Sequence, residues 1–206
     1  MIAMPSRALS FRGEGDGVQS EIKTVDRFVR VVLGYHGCSA RFADSILAGR
    51  VKIDEWEKSE NPYDWLGHGI YFWEHAPERA RSWPEGRRAG GVVGAVIQLG
   101  RCLDFTDTQY TELLRLRYES IARTFGEVDL ALPTNRGKSR NLDCLMINEL
   151  TRQRDSLSEP FQTVRSPFLE GEAAFPGSGI LRESHIQIAV IDRQCILGVF
   201  RPNLER

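Results

Sequence analysis

The hydrophobic pattern of this chain changes period several times, and each change marks an element. Phe28-Val29-Arg30-Val31-Val32-Leu33 is an apolar run rich in β-branched residues, which predicts a strand that delivers His36 just past its C-terminal end. Ser39 then offers a helix N-cap, Phe42, Ala43, Ile46 and Leu47 fall at helical spacing, and Gly49 can end the turn, so a short amphipathic helix is predicted. Ser59-Glu60-Asn61-Pro62-Tyr63-Asp64-Trp65 is a loop by its turn residues, and its two aromatics predict that it folds over a ligand. Ile70-Tyr71-Phe72-Trp73 reads as a strand, Pro77 suits the first turn of a helix running to Trp83, and a Gly-rich stretch at 86–91 leads into a strand over 92–99.

Farther on, Leu113, Leu114, Arg117, Ile121 and Phe125 mark a longer helix from about Thr108, and Leu142, Leu145, Met146, Glu149 and Leu150 mark another. The apolar runs at 161–164, 186–191 and 196–200 read as strands, and no internal repeat is visible. Residues 1–26 are rich in Gly, Ser and charge without periodicity, which predicts a flexible or loosely docked arm. The pattern as a whole predicts one α+β domain over 27–206, with a helical insertion at about 105–160.

A chain of 206 residues with 41% hydrophobic and 27% charged residues can bury a full core without disulfides or metals. Its formal net charge of −1 excludes binding to nucleic acid by bulk charge, so any such contact requires a local patch. Cys38, Cys102, Cys144 and Cys195 stand singly, as buried thiols of a reducing compartment do. Arg7, Arg12, Glu14 and Asp16 interrupt the N-terminus, and no stretch reaches the length of a membrane span, so a cytoplasmic protein without a membrane partner is expected.

The candidate chemistry sits in two short stretches, Tyr35-His36-Gly37 and Gly67-His68-Gly69-Ile70-Tyr71-Phe72. A His-Gly step places an imidazole beside exposed backbone amide and carbonyl groups, and Gly-x-Gly-Ile-Tyr-Phe lets the chain turn tightly and present an aromatic face. Together they suit a flat aromatic carboxamide: His36 for a ribose hydroxyl, the Gly37 backbone for both ends of the amide, Tyr71 for stacking on the ring. With Ser45-Ile46-Leu47-Ala48-Gly49, Pro77-Glu78-Arg79-Ala80-Arg81-Ser82-Trp83 and the late strand His185-Ile186-Gln187-Ile188-Ala189-Val190-Ile191-Asp192, these stretches resemble the ADP-ribosyltransferase superfamily. The likeness is to its poly(ADP-ribose) polymerase-like branch, covers roughly half the chain and leaves 101–178 unmatched.

The resemblance implies a split β-sandwich of two packed small sheets with peripheral helices, and NAD as substrate. His36, Gly37, Tyr71 and Trp83 would bind it. The preferred activity is mono-ADP-ribosylation of a macromolecular acceptor, protein or nucleic acid, by a toxin or antiviral-defence effector with an antitoxin partner. NAD hydrolysis and an inactive NAD- or ADP-ribose-binding module are the alternatives. Cleavage of the nicotinamide bond passes through an oxocarbenium-like state, which a group hydrogen-bonded to the ribose 2′-OH stabilises. The family usually places a glutamate there, whereas alignment on Ile191-Asp192 puts Gln187 in that position. Gln187 can hold the hydroxyl but cannot act as a base, which disfavours chain elongation, so Glu170 is ranked next as a compensating acid or base, with Glu172 and Glu183 nearby.

Blander readings compete at each position. Trp83 reads as core before ligand stacking, Gln187 alternates with Ile186 and Ile188 as the outward face of a strand would, and His68, His75 and His185 read as ordinary surface residues. No metal is expected, because His36-Gly37-Cys38 lacks the glutamate and the Pro-Cys-x-x-Cys of a zinc deaminase. Neither Cys38 nor Cys144 has a local nucleophile signature, and Gly177-Ser178-Gly179 lacks the strand-to-helix context of a phosphate loop. Arg136, Lys138 and Arg140 form a basic cluster that is either a solvated loop or a contact for a phosphate-bearing acceptor.

Overall fold

The computed structural model describes residues 30–82, 90–152 and 159–204. The arm at 1–26, Phe28 and Trp83 lie outside them. Strand β1 (Val31–Ser39) is longer than the apolar run suggests and contains His36, because its full length pairs with β3 (Gly90–Gln98) on one side. Ser39 caps α1 (Ala40–Leu47) by accepting from the Phe42 amide, Ala43 and Ile46 point into the core, and Gly49 leaves the helix at φ +70°. Strand β2 (Ile70–Glu74) and helix α2 (Pro77–Ser82) follow where the pattern places them.

The predicted insertion contains α3 (Thr108–Glu127), capped by Asp107, and α4 (Asn141–Thr151). A short strand, β4 (Cys102–Asp104), precedes them, and the two-stranded ribbon β5 (Asn135–Arg136) and β6 (Ser139–Arg140) lies between them. The chain then forms β7 (Thr163–Phe168), β8 (His185–Val190) and β9 (Ile196–Phe200). No helix among the described residues is long and apolar enough to cross a membrane.

The α+β class holds, but the main sheet differs from two separate packed sheets. Seven strands join in the order β4-β7-β8-β2-β1-β3-β9, antiparallel throughout except for β4 beside β7. The sheet is narrow in the middle. Strand β1 pairs with β3 along Val31–Ser39, yet it meets β2 only at Gly34↔Glu74 and Tyr35↔Trp73. Beyond that seam each strand follows its other neighbour, β2 running with β8 from Ile70↔Val190 to Glu74↔Ile186. Hydrophobic alternation reports which side of a strand is buried and carries no information on which edges pair, so the seam could not be read from it.

Opposed residues share a face of the sheet, and the two faces carry different cores. Phe72, Ile70, Ile188, Val93, Ala95 and Ile97 pack beneath α1 and Trp56 on one face. On the other, Ala189 and Val164 meet Leu66 and Ile147, while Trp73 meets Ala80 of α2. Gly34 is required at the seam, because a Cβ there would lie 2.5 Å from Ile97 Cδ1 and 2.8 Å from Phe72 Cβ.

One charged network ties the β4 edge to the middle of the sheet. Arg165 on β7 donates to both oxygens of Glu74 at 2.6 and 2.8 Å and to both oxygens of Asp104 at 3.2 Å, and Arg30 donates to Asp104 at 2.7 Å. Burial pushes the Asp104 carboxyl up, but bonds from Thr106 and Arg30 and the Arg165 charge outweigh it and hold the carboxyl below its usual range. Arg165→Met leaves Glu74 and Asp104 enclosed without their shared cation and is expected to cost about 3–5 kcal/mol at pH 7. A carboxyl depressed by folding stabilises above its unfolded pKa, so urea unfolding should show the deficit shrinking as pH falls below about 4.

Candidate functional site

The geometry of the seam places His36 where the backbone ladder between β1 and β2 stops. Its Nδ1 lies 2.8 Å from the Tyr71 carbonyl oxygen, so Nδ1 carries the proton and donates across the gap. The imidazole stands half-buried against Trp56, with centroids 5.0 Å apart, against Phe72 at 5.7 Å and against Phe42 at 6.4 Å. Burial lowers its pKa, partly opposed by the Tyr71 bond, so the ring is neutral at pH 7 and Nε2 is left as an acceptor.

Gly37 follows at the open part of the seam. The Leu33 carbonyl accepts from the His75 amide at 2.9 Å, on the β2 side of β1. Backbone direction alternates along a strand, so Gly37, four residues on, aims its amide and carbonyl the same way. No β2 residue pairs with it there. The edge that the sequence assigns to a carboxamide is therefore, among the described residues, a strand edge without a ladder partner.

Tyr71 reaches the site mainly through its backbone. Its side chain lies on the opposite face of β2 from Phe72 and from His36, packed with the second core, and its hydroxyl donates to Gly67 O at 2.7 Å and accepts from the Leu66 amide at 2.8 Å. Burial pushes the phenol well up, so it stays protonated. Tyr71 thus clamps the turn before β2 as well as offering a half-buried ring. Gly67 has φ +73°, and a Cβ there would meet Asn148 Oδ1 at 2.6 Å, the same oxygen that accepts from His68 N at 2.8 Å.

The aromatic loop before β2 is fastened rather than poised to close over a ligand. Ser59 and Gly69 exchange two backbone bonds, Asp64 accepts from Asn61 N at 3.0 Å, and Trp65 Nε1 donates to Lys138 O at 2.7 Å. Arg140 lies 5.1 Å over the Trp65 ring, and Trp65 meets Phe168 with centroids 4.8 Å apart. The basic ribbon is thereby held against the end of β7.

Gln187 is buried, not outward-facing. It opposes Trp73 on β2 and Ser166 on β7, on the face that carries the Tyr71 ring. His185, two residues earlier on the same face, is also buried and not a surface residue, its ring stacked on Phe168 at 5.7 Å and its Nε2 3.1 Å from Gln187 Nε2. Glu170 is committed to an ion pair with Arg79 at 2.9 Å and lies 3.8 Å from His185 Nδ1, while Glu172 is exposed outside this cluster. Engaged by the Arg79 guanidinium, Glu170 fits a structural ion-pair partner better than a free acid-base group.

The described residues therefore form two groups whose side chains lie on opposite faces of the sheet, His36 at the seam with the Gly37 and Tyr71 backbone, and Gln187 with His185, Arg79 and Glu170 one strand beyond β2. Sequence reasoning missed Trp56, Arg79 and the role of His185. The spacing of His185 and Gln187 in one strand was a usable signal, whereas Trp56 lies outside any periodic segment. A cavity of about 570 Å³ lined by Arg101, Phe161, Gln162 and Asp192 lies at the β4–β7 end of the sheet, where Gln162 already bonds Asp192 and the Arg101 amide. Burial lifts the thiols of Cys38 and Cys102 to about 11, so neither is a nucleophile at neutral pH. Among the described residues no cluster could hold a metal ion.

Tyr71→Phe keeps the ring and removes the hydroxyl that satisfies Leu66 N and Gly67 O. It is expected to lower stability by about 1–3 kcal/mol, read as a lower urea midpoint with an unchanged slope.

Compared with protein-family models, with curated proteins and with solved structures, the chain gives no match.

Proposed function

We propose that the chain is an NAD-consuming ADP-ribosyltransferase that transfers a single ADP-ribose to a macromolecule. The observation that carries this reading is the open seam. Strands β1 and β2 part after Tyr35↔Trp73, His36 donates to Tyr71 O in place of a ladder bond, and among the described residues no strand pairs with Gly37 on its β2 side. A primary carboxamide offers one donor and one acceptor in a plane, which matches an exposed strand edge. The Nε2 of neutral His36 accepts from a ribose hydroxyl on the Phe72 face of the seam, and Gln187, on the opposite face, supplies a hydrogen bond to a sugar that reaches across the opening as the nicotinamide bond breaks and positive charge develops.

The absence of a carboxylate at Gln187 favours single transfer over elongation, because an amide orients the hydroxyl without taking its proton. Glu170, paired with Arg79, does not replace it. The acceptor is read from the ribbon: Arg136, Lys138 and Arg140 lie on β5, its turn and β6, and Arg140, Trp65 and Phe168 form a line of ring contacts that ends on His185 beside Gln187. Guanidinium groups and aromatic faces in that order suit a phosphate-bearing acceptor. The toxin or defence role rests on the motif resemblance and is tested by the growth of a host expressing wild type or His36→Ala.

Incubation of the chain with labelled NAD and fractionated lysate is expected to release nicotinamide and leave label on a macromolecule. His36→Ala should weaken NAD binding by about 1–3 kcal/mol in calorimetry while remaining folded. Wild-type affinity in that variant would sink the pocket assignment, and nicotinamide release with no labelled macromolecule would favour NAD hydrolysis instead. The triple variant Arg136→Ala, Lys138→Ala, Arg140→Ala should lose labelling of the acceptor with NAD affinity unchanged. Loss of NAD affinity with normal labelling at saturating NAD would refute that division of roles.

A further inference from the structure

Within the second group every hydrogen-bonding atom of His185 has a defined neighbour, and together these neighbours determine which end of Gln187 faces the site. The Nδ1 of His185 lies 2.6 Å from the Glu183 carbonyl oxygen and 3.8 Å from a Glu170 carboxylate oxygen. Both are acceptors, so the ring proton sits on Nδ1. The Nε2 of a neutral ring is then a lone pair, and the atom facing it at 3.1 Å must donate, which only the amide nitrogen of Gln187 can do. Among the described residues no hydrogen bond is donated to the other end of the amide, Oε1.

We infer that His185 is a positioning residue for Gln187, holding the amide NH₂ with its Nε2 lone pair so that Gln187 presents Oε1, an acceptor, to the substrate ribose. The inference rests on the NAD reading for its substrate. It explains how a neutral amide fills a place where a 2′-OH must donate: tethered by its nitrogen, glutamine offers the site an oxygen, as a carboxylate would. The His185 side chain is fully enclosed, with Phe168 stacked on it from β7 and Trp73 beside it from β2, so the imidazole is held in place.

The arrangement has a second state. An imidazolium carries a proton on Nε2 as well, two donors then face each other, and the amide must turn round and present NH₂ to the sugar. The charges facing the ring are Arg79 from α2 and Glu170 and Glu183 from the β7–β8 connection. Burial and Arg79 lower the His185 pKa, the Glu183 carbonyl and the two carboxylates raise it, and burial is the largest of these effects. The ring is therefore neutral at pH 7, and acid removes the acceptor.

Nitrogen-15 NMR of the histidine rings in the full chain tests the inference without reference to activity. At pH 7 His185 is expected as the Nδ1–H tautomer. In Gln187→Glu its titration midpoint should rise by about one unit or more, since a carboxylate cannot donate to Nε2 and instead favours the imidazolium. Nicotinamide release by wild type should fall on the acid side with the His185 midpoint, and Gln187→Glu should lose that limb. An Nε2–H tautomer in wild type, or an unchanged His185 midpoint in Gln187→Glu, overturns the inference. If both NMR results come out as expected and no NAD is cleaved, the NAD reading fails and the positioning of Gln187 by His185 stands.

Discussion

The constraint on which the rest of the structure depends is the early parting of β1 and β2. Two residue pairs join the halves of the sheet, and the imidazole of His36 bridges the next position. A buried backbone carbonyl without a partner costs about 1–3 kcal/mol, so the opening persists only because a side chain satisfies Tyr71 O. The same bond fixes the tautomer of His36, and with it the polarity of the atom left facing the gap. Structure and chemistry at this point depend on one proton. The ring is held by Trp56, Phe42 and Phe72, and Phe72 has its place because Gly34 has no side chain.

The two halves are also held together away from the seam. Arg165 reaches from β7 to Glu74 on β2 and to Asp104 on β4, so one guanidinium spans β8 on the face that carries Phe72. The opposite face is fastened by small residues and aromatics, Ala189 under Leu66 and Ala80 under Trp73. Polar stitching on one face and apolar packing on the other leave the strand edge at Gly37 as the part of the middle without a partner strand.

Apolar runs made β2 and β8 readable and helical spacing made α1 and α4 so, α1 with the clearest capping and turn residues. His36 and Gly37 could be singled out because a His-Gly step beside Gly-Ile-Tyr is an unusual combination in a single chain. What could not be read depends on long-range pairing. The extension of β1 through Ser39 is imposed by β3, the burial of His185 by Phe168 and Trp73, and the tie of Glu170 by Arg79, and all of these partners are distant in sequence. The joining of two expected sheets into one turns on two residue pairs, too few to leave a signature. The loop at 59–65 looked free because its turn residues are local, whereas Lys138 and Asn148, which fasten it and the turn after it, come from the insertion.

The strand order has a consequence for synthesis of the chain. On one side of the seam lie β1, β3 and β9, and on the other β2, β8, β7 and β4, so the two halves are interleaved along the sequence and neither is a contiguous stretch. Neither half is complete until β9 or β8 has been made, and β2 has no second neighbour until β8 has been translated. Gln187 and His185 arrive with that same strand. A ribosome-bound chain therefore holds His36 and Gly37 long before it holds His185 and Gln187, and the strands that flank the seam pair, β3 and β8, are both in place only late in synthesis.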